Sequence, residues 1–500
     1  MIERRTTTLA ELARAGDGLV LEMIGDAEVT GVAYDSRGVQ PGDLFFCVPG
    51  SRADGHEYAT AAAEAGASAL CVERSTGTGL PELRVADARA AMAILSAAFY
   101  GNPARDLTLL GVTGTNGKTT TAYLLESIMR AAGKTTGLIG TIETRVGDDH
   151  RPGVRTTPES LDLHALFAEM RDAGVDSVAM EVTSHALALG RVEGLRYAAA
   201  GFTNLSQDHL DFHADMEDYF EAKRSLFRPD RLDRGAVNVD DPYGRKLFET
   251  VEVPCVAFGH ADNADVRAEN VVLRPDGSDF DLVTSSGTRR LSVTLAGAFN
   301  VYNCLAAAAI ALQAGLSLDA VVNGLASISS VPGRFESISR GQPFAVVVDY
   351  AHTPDSLDNV LKAARRLAET QGSLGRVLCV FGCGGDRDRG KRPLMGAVAA
   401  QLADYVVVTS DNPRSEDPVA IIDEILEGVV AHRPQGPDAV LPDRREAIAE
   451  ALGEARPGDV VVIAGKGHET GQQFATVTHP FDDRDVAAEM LDGLGWRPSA

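Results

Sequence analysis

The sequence predicts an α/β protein of three domains. Three observations point to it: a length of 500 residues, apolar strand-like runs that alternate with helical periods, and two places where that alternation stops and restarts. At roughly 150 residues per domain, the length suits three domains better than one. Apolar residues make up 44% and charged residues 24%, so the chain can bury full cores. Lys plus Arg against Asp plus Glu gives 47 − 71 = −24. A field of that sign opposes a polyanionic backbone or an anionic membrane face, so neither nucleic acid nor membrane is an expected partner. A phosphorylated ligand would then be held by local cations and backbone N–H groups. Cys47, Cys71, Cys255, Cys304, Cys379 and Cys383 are scattered, with no C-x-x-C pair, and read as buried reduced thiols. The first twenty residues interleave charge with short apolar pieces, and no window reaches the roughly eighteen apolar residues of a membrane span. A cytoplasmic monomer is expected.

In chain order, Thr30 to Tyr34, Leu44 to Val48 and Ala69 to Val72 read as strands around an Ala-rich helix, Glu57 to Ala65. Asn102-Pro103 marks a turn and sets the first boundary, giving residues 1–104. From Leu107 the pattern runs strand, glycine-rich loop, helix (Lys118 to Ala132) and strand (Thr135 to Ile139). It continues with helix (Glu159 to Ala173) and the strands Ser177 to Val182 and Ala198 to Thr203. Wholly apolar strands between helices predict a parallel sheet covered on both faces. Val331-Pro332-Gly333 closes this second domain, 105–335. The alternation restarts with Phe344 to Asp349, Val377 to Phe381, Tyr405 to Thr409, Ala439 to Leu441 and Val460 to Ala464. That predicts a Rossmann-like doubly wound sheet in 336–500, with ligands at strand C-terminal ends and in the clefts between domains.

The strand ending at Val112 runs into Thr113-Gly114-Thr115-Asn116-Gly117-Lys118-Thr119-Thr120 and then a helix. A phosphate chain needs close backbone approach, N–H donors, a cation and a hydroxyl for Mg²⁺; the glycines, Lys118 and Thr119 supply them. The central domain is therefore expected to be P-loop ATPase-like, although Val112 breaks the strict G-x-x-x-x-G-K-[ST] pattern. Magnesium also needs ligands at neighbouring strand ends. Glu181 ends an apolar run where an unpartnered carboxylate would be costly, and fits that role or a structural ion pair. His209 follows the strand ending at Thr203, in the loop Asn204 to Asp211, and could be a ligand or structural. From spacing alone, Lys223 reads as a surface lysine on a helix Asp215 to Phe227.

These motifs, with Tyr219-Phe220-Glu221-Ala222-Lys223, Phe299 to Asn303, Gly333-Arg334-Phe335-Glu336 and Asp349 to Pro354, resemble the Mur ligase family, in order and across nearly the whole chain. The resemblance implies an ATP-dependent acid–amino-acid ligase of cell-wall precursor synthesis. ATP converts a carboxylate to an acyl phosphate, which an incoming amine attacks. It implies Gly114, Thr115, Asn116, Gly117, Lys118, Thr119 and Thr120 around the phosphates, with Asn303 and Arg334 on the nucleotide and Asp349 on its ribose. It places one Mg²⁺ on Thr119 and Glu181, and a second on His209 and on Lys223 carbamylated by CO₂. Carbamylation turns an ammonium that would repel the metal into an anion.

Asp35-Ser36-Arg37 and Pro41 to Phe46 look like the third amino-acid-adding members. By that likeness Ser36 meets the uridine diphosphate, and Thr156, Thr157, Thr183 and Arg191 hold UDP-N-acetylmuramoyl-L-alanyl-D-glutamate. The family usually has Ser at the place of Thr183, which keeps the hydroxyl. It commonly has Asn where Arg155 stands, which leaves Arg155 without an assigned role. Asp411-Asn412-Pro413-Arg414 matches the signature of members that add meso-2,6-diaminopimelate, supported by Arg387, Gly465 and Glu469. A guanidinium fork suits the carboxylate by which this amino acid differs from lysine. The alternatives are a lysine-adding or folylpolyglutamate-type amide ligase, and a nucleotide switch that ligates nothing.

Overall fold

The computed structural model describes residues 6–16, 18–50, 53–274, 276–370 and 375–497. Each of three α/β units carries its own main sheet. In the first, the strands Glu82–Val85, Ala69–Val72, Asp43–Phe46 and Gly31–Ala33 run parallel in that order, and Val20–Ile24 pairs antiparallel at the edge. The region expected to be one helix from Glu57 is a 3₁₀ turn, Gly55–Tyr58, followed by the short helix Ala59–Glu64.

The central sheet has eleven strands. Seven are parallel, in the order Thr136–Ile139, Ser177–Glu181, Thr108–Thr113, Ala199–Phe202, Gly235–Asn238, Cys255–Gly259 and Val266–Arg274. Their apolar runs are buried between two helical layers. Lys118–Ala131, Ala298–Gln313 and Leu318–Ser327 pack on one face, and Ser160–Asp172 and Met216–Arg224 on the other. The sheet is not wholly parallel. Glu143–Val146 with Asp149–Pro152, and Gly277–Thr284 with Gly287–Val293, extend its two edges antiparallel. Gly277–Thr284 alternates more and less buried residues, and Glu143–Val146 and Asp149–Pro152 are mostly polar, patterns distinct from the continuous apolar runs of the parallel core.

The third sheet runs Glu336–Ser337, Ala345–Asp349, Val460–Ala464, Val377–Phe381, Tyr405–Val408 and Ala439–Val440; all pairs but the first are parallel. Pro354–Thr370, Lys391–Leu402 and Pro418–His432 cover one face, Arg444–Glu454 and Asp483–Gly493 the other. All six cysteines are free, and Cys255 alone of them is not fully buried. Among the described residues, no helix is long and apolar enough to cross a membrane.

One buried ion pair fixes the strand ends that matter for the site. Arg444 and Asp483 are both wholly inaccessible, and the guanidinium meets both carboxylate oxygens at 2.7 Å. Its remaining N–H groups donate to the carbonyls of Ser410 (3.2 Å) and Ala464 (2.9 Å), the residues just before Asp411 and Gly465. Arg444→Met would strand the Asp483 charge and should lower the stability of this domain by about 3–5 kcal/mol in urea unfolding. The double variant Arg444→Met/Asp483→Leu should recover much of that loss; equal losses in single and double variants would contradict the pairing.

Candidate active site

The strand Thr108–Thr113 lies inside the parallel array, and its C-terminal end opens onto the loop Gly114–Gly117 and the N-terminus of helix Lys118–Ala131. Two positions there require glycine. Gly117 has φ 85°, and a Cβ on it would lie 2.3 Å from Asn303 Oδ1; a Cβ on Gly114 would lie 1.9 Å from Thr203 Oγ1. Lys118 folds back over the loop, its Nζ donating to the carbonyls of Gly114 (2.9 Å) and Thr115 (2.7 Å). Asn116 N donates to Asn204 Oδ1 at 2.9 Å, and Thr120 is buried on the first helical turn. The loop borders a cavity of about 650 Å³.

Beside it is a buried hydroxyl–carboxylate corner. Glu181 Oε2 accepts from Thr119 Oγ1 (3.0 Å) and Thr141 Oγ1 (3.1 Å), and Oε1 accepts from Thr141 N (2.8 Å). Among the described residues, no three His, Cys, Asp or Glu side chains gather into a metal cage. The corner fits magnesium nonetheless, because that ion takes one or two protein oxygens and completes its shell with phosphate and water.

Lys223 is not on the surface. Tyr219 and Lys223 lie one turn apart on the inner face of helix Met216–Arg224, and Lys223 is 1% exposed. Its Nζ donates to Gly114 O at 2.8 Å, so Lys118 and Lys223 share one carbonyl. Burial, reinforced by the Lys118 charge and opposed by Asp208, holds the Lys223 amine well below the ordinary lysine range. His209 sits in the same pocket wall with φ 57°, its ring edge-on to His185. Burial pushes its pKa down to about 3 against the pull of Asp208, so the imidazole is neutral and able to ligate a cation.

The opposite wall comes from the end of the central domain and the start of the third. Arg334 Nη2 donates to Thr119 Oγ1 at 3.0 Å, its guanidinium lies 4.5 Å over the Tyr350 ring, and its Nε is buried without a protein partner. That leaves a donor available to an anion. Asn303 is fixed by its bond to Asn300 Oδ1 (2.9 Å). Asp349 accepts from Phe335 N (2.6 Å) and Ala351 N (2.8 Å), and burial raises its pKa to about 6 against Arg334 and those two N–H groups.

Farther along the cavity, Thr156 Oγ1 meets Thr141 Oγ1 at 3.0 Å, Thr157 Oγ1 donates to Glu181 O at 2.9 Å, and Thr183 Oγ1 lies 3.3 Å from Thr157 Oγ1. Arg191 donates to Thr157 O at 3.2 Å and pairs with Glu159 at 2.9 Å; its Nε is buried without a partner. Arg155 pairs with the same Glu159 at 2.7 Å, as does Arg89 of the first domain at 3.2 Å. Ser36 starts a 3₁₀ turn capped by Asp35 and does not border this cavity.

The residues around Arg414 form a second cluster outside the cavity walls. Arg414, at φ 53°, donates from Nη1 to Gly385 O at 2.6 Å, with Arg387 exposed nearby. Among the described residues, neither guanidinium has a carboxylate within ion-pair distance. Asn412 Nδ2 donates to Glu469 Oε2 at 2.7 Å; Asp411 and Pro413 are buried beside it. Gly465, at φ 117°, donates its N–H to Asp349 O at 3.0 Å and so ties this cluster to the nucleotide wall.

Comparisons with known proteins identify the family. Residues 28–100 match the Mur ligase family catalytic domain, 112–311 the Mur ligase middle domain, and 333–467 the Mur ligase glutamate ligase domain. The chain belongs to the Mur ligase family. It is therefore an ATP-dependent ligase that forms amide bonds. A UDP-N-acetylmuramoyl-L-alanyl-D-glutamate--2,6-diaminopimelate ligase of Streptomyces avermitilis is 50% identical over 496 residues, covering 97% of this chain and 96% of its own. One from Geobacillus thermodenitrificans is 49% identical over 470 residues, covering 93% and 95%. A solved structure of an enzyme of that name aligns with TM-score 0.66 at 33% identity, covering 93% of this chain and 95% of its own.

Several residues of this Mur ligase site escape a reading of the sequence. Thr141 lies just past a strand end, much as Glu181 sits at one, and the same strand-end rule could have found it. Asp208 is buried between His209, His352 (3.8 Å) and Lys391 (3.9 Å), the last two from the third domain. Asn116 Nδ2 also reaches the third domain, at Asp355 Oδ2 (2.7 Å). No local pattern foretells such partners.

The raised Asp349 pKa has a stability consequence. Unfolded aspartate titrates near 4, so between about pH 4 and 6 the folded chain holds a proton that the unfolded chain releases. The group's contribution is present below that window and is lost as pH rises through it. In urea unfolding at about pH 4.5 and 6.5, Asp349→Asn should gain on the wild type as pH rises; parallel behaviour would contradict the assignment.

Proposed function

We propose that this Mur ligase joins meso-2,6-diaminopimelate to UDP-N-acetylmuramoyl-L-alanyl-D-glutamate, as a cytoplasmic monomer acting on small molecules. The reading divides the work among three domains, 1–104 for the uridine diphosphate, 105–335 for ATP and 336–500 for the amino acid. One observation carries the choice of amino acid: Arg414 and Arg387 lie together without an acidic partner, next to Glu469. Two buried-to-exposed guanidiniums accept a second carboxylate and a glutamate accepts an ammonium, which is the zwitterionic end that lysine lacks in part. The names of the half-identical relatives support the same choice.

The chemistry asked of the residues is charge management. A carboxylate oxygen of the muramyl dipeptide attacks the γ-phosphorus of ATP, ADP leaves, and the amine then displaces phosphate from the acyl phosphate. Lys118 and the N–H groups from Gly117 to Thr120 cradle the phosphates, with Gly114 and Gly117 giving them room. Arg334, whose buried Nε has no protein partner among the described residues, would donate to them, while Asn303 and Asp349 would hold the nucleoside. Thr119 and Glu181 would hold one magnesium ion, and His209 with carbamylated Lys223 a second; the ions would neutralise phosphate charge. Support for the carbamate is the burial of Lys223, which depresses the pKa of its amine and so favours the free base that adds CO₂. Ser36, Thr156, Thr157, Thr183 and Arg191 receive the muramyl dipeptide, and the orphaned Arg191 Nε suits one of its anionic groups.

Phosphate release should require both the dipeptide and diaminopimelate; release that ignores both would favour a nucleotide switch. Arg414→Ala should lose the preference for diaminopimelate over lysine by a factor of about ten or more, since a guanidinium–carboxylate bond contributes about 1.5–3 kcal/mol. An unchanged preference would contradict the assignment. Lys223→Ala should abolish ligation and regain part of it with a short-chain carboxylic acid; full activity without the acid would exclude the carbamate.

A further inference from the structure

The amino-acid cluster contains a buried cation to which no role has yet been given. Lys466 is 0% exposed, and its Nζ donates to Asn412 Oδ1 and to Glu469 Oε2, each at 3.0 Å, with Asp411 Oδ1 at 3.8 Å. Asn412 Oδ1 also accepts from Gln473 N at 2.9 Å. The oxygen end of the amide is thus occupied by an ammonium and a backbone N–H, neither of which can accept. A flipped amide would set its NH₂ against two donors. Lys466 therefore leaves Asn412 one orientation, with Nδ2 outward; one of its N–H groups goes to Glu469 Oε2 and the other stays available. The same ammonium acts on the glutamate. Lys466 and Asn412 both donate to Oε2, and among the described residues Oε1 receives no hydrogen bond.

We propose that Lys466 is a positioning residue for amino-acid specificity, locking Asn412 as a donor and turning the unoccupied oxygen of Glu469 toward the ligand. The cluster then presents, side by side, donors for a carboxylate (Asn412 Nδ2 and the Arg414 fork) and an acceptor for an ammonium. That is the complement of one α-amino-acid centre carrying both charges. Lys466 touches no substrate in this arrangement and works through the two side chains it holds. The inference rests on the diaminopimelate reading above and adds to it the group that sets the polarity of the site.

The test measures phosphate release with meso-2,6-diaminopimelate and with lysine in the wild type, Lys466→Met and Lys466→Gln. Lys466→Met should raise the KM for diaminopimelate at least 30-fold and lower the diaminopimelate-to-lysine ratio of kcat/KM at least tenfold. The KM values for ATP and the muramyl dipeptide should stay within about twofold. Lys466→Gln, whose amide can still donate to Asn412 Oδ1, should fall between the two. An unaltered ratio, or an equal shift of all three KM values, would overturn the role. Asn412→Asp serves if the buried methionine prevents folding: it replaces the outward donor with an acceptor and should cost the same discrimination, and its failure to do so would also overturn the proposal. A wild type that diaminopimelate does not stimulate sinks the functional reading together with this inference, whereas a stimulated wild type with unaltered variants sinks this inference alone.

Discussion

The site is organised by two lysines that end on one carbonyl. Lys118 arrives from the first turn of the helix after the loop and Lys223 from the inner face of another helix, and both donate to Gly114 O. Lys223 is buried and Lys118 partly buried, and loss of solvent lowers the pKa of each. Two fully charged ammoniums cannot be kept there cheaply without anions. The pair therefore calls for negative charge from a ligand, for a neutral amine, or for both. That constraint explains a strongly anionic protein, at a formal −24, that nonetheless binds a triphosphate: the attraction is local, built from buried cations and N–H groups, and independent of the overall field.

The second organising feature is that the chemistry straddles domains. Asn116 in the nucleotide loop bonds Asp355, and Asp208 lies between His209 of its own domain and His352 and Lys391 of the next. Arg334 couples Thr119 to the Tyr350 ring. The backbone packs as closely: a Cβ on Gly333 would lie 2.1 Å from His468 N, and one on Gly467 would lie 2.7 Å from Gly333 O. The loop from Gly465 to Glu469 thus leans on the nucleotide wall with one side and holds the amino-acid cluster with the other. The wall around the loop Gly114–Gly117 draws on both the central and the third domain, through Asp355, His352 and Lys391.

Much of this was legible in the sequence, for identifiable reasons. The strands Ala69–Val72, Val377–Phe381 and Val460–Ala464 are continuous apolar runs with sharp ends, and they occur where the pattern puts them. The nucleotide loop was legible because its glycines, lysine and threonines occupy consecutive positions between a strand and a helix. The antiparallel edge strands were not, since their polar or alternating composition lacks that contrast. Burial of Lys223 was hidden for a related reason: a lysine in a charged helix looks solvated until the opposing loop is in place. Lys466 shows the limit most clearly. It stands between Gly465 and Glu469, both singled out in the sequence, yet its effect depends on Asn412, which lies 54 residues from Lys466 and 61 from the Gln473 N–H it accepts. Amide orientation is a property of the assembled network, and a linear pattern cannot carry it.

The central proposal is that Lys223, its amine pKa depressed by burial, captures CO₂ and so supplies the site with an anion. ¹³C NMR of the protein equilibrated with ¹³C-bicarbonate tests it directly. The account predicts one protein-bound carbamate resonance in the wild type that is missing from Lys223→Ala while Lys118→Ala retains the fold. A wild-type spectrum without such a resonance, or one that survives in Lys223→Ala, would contradict it.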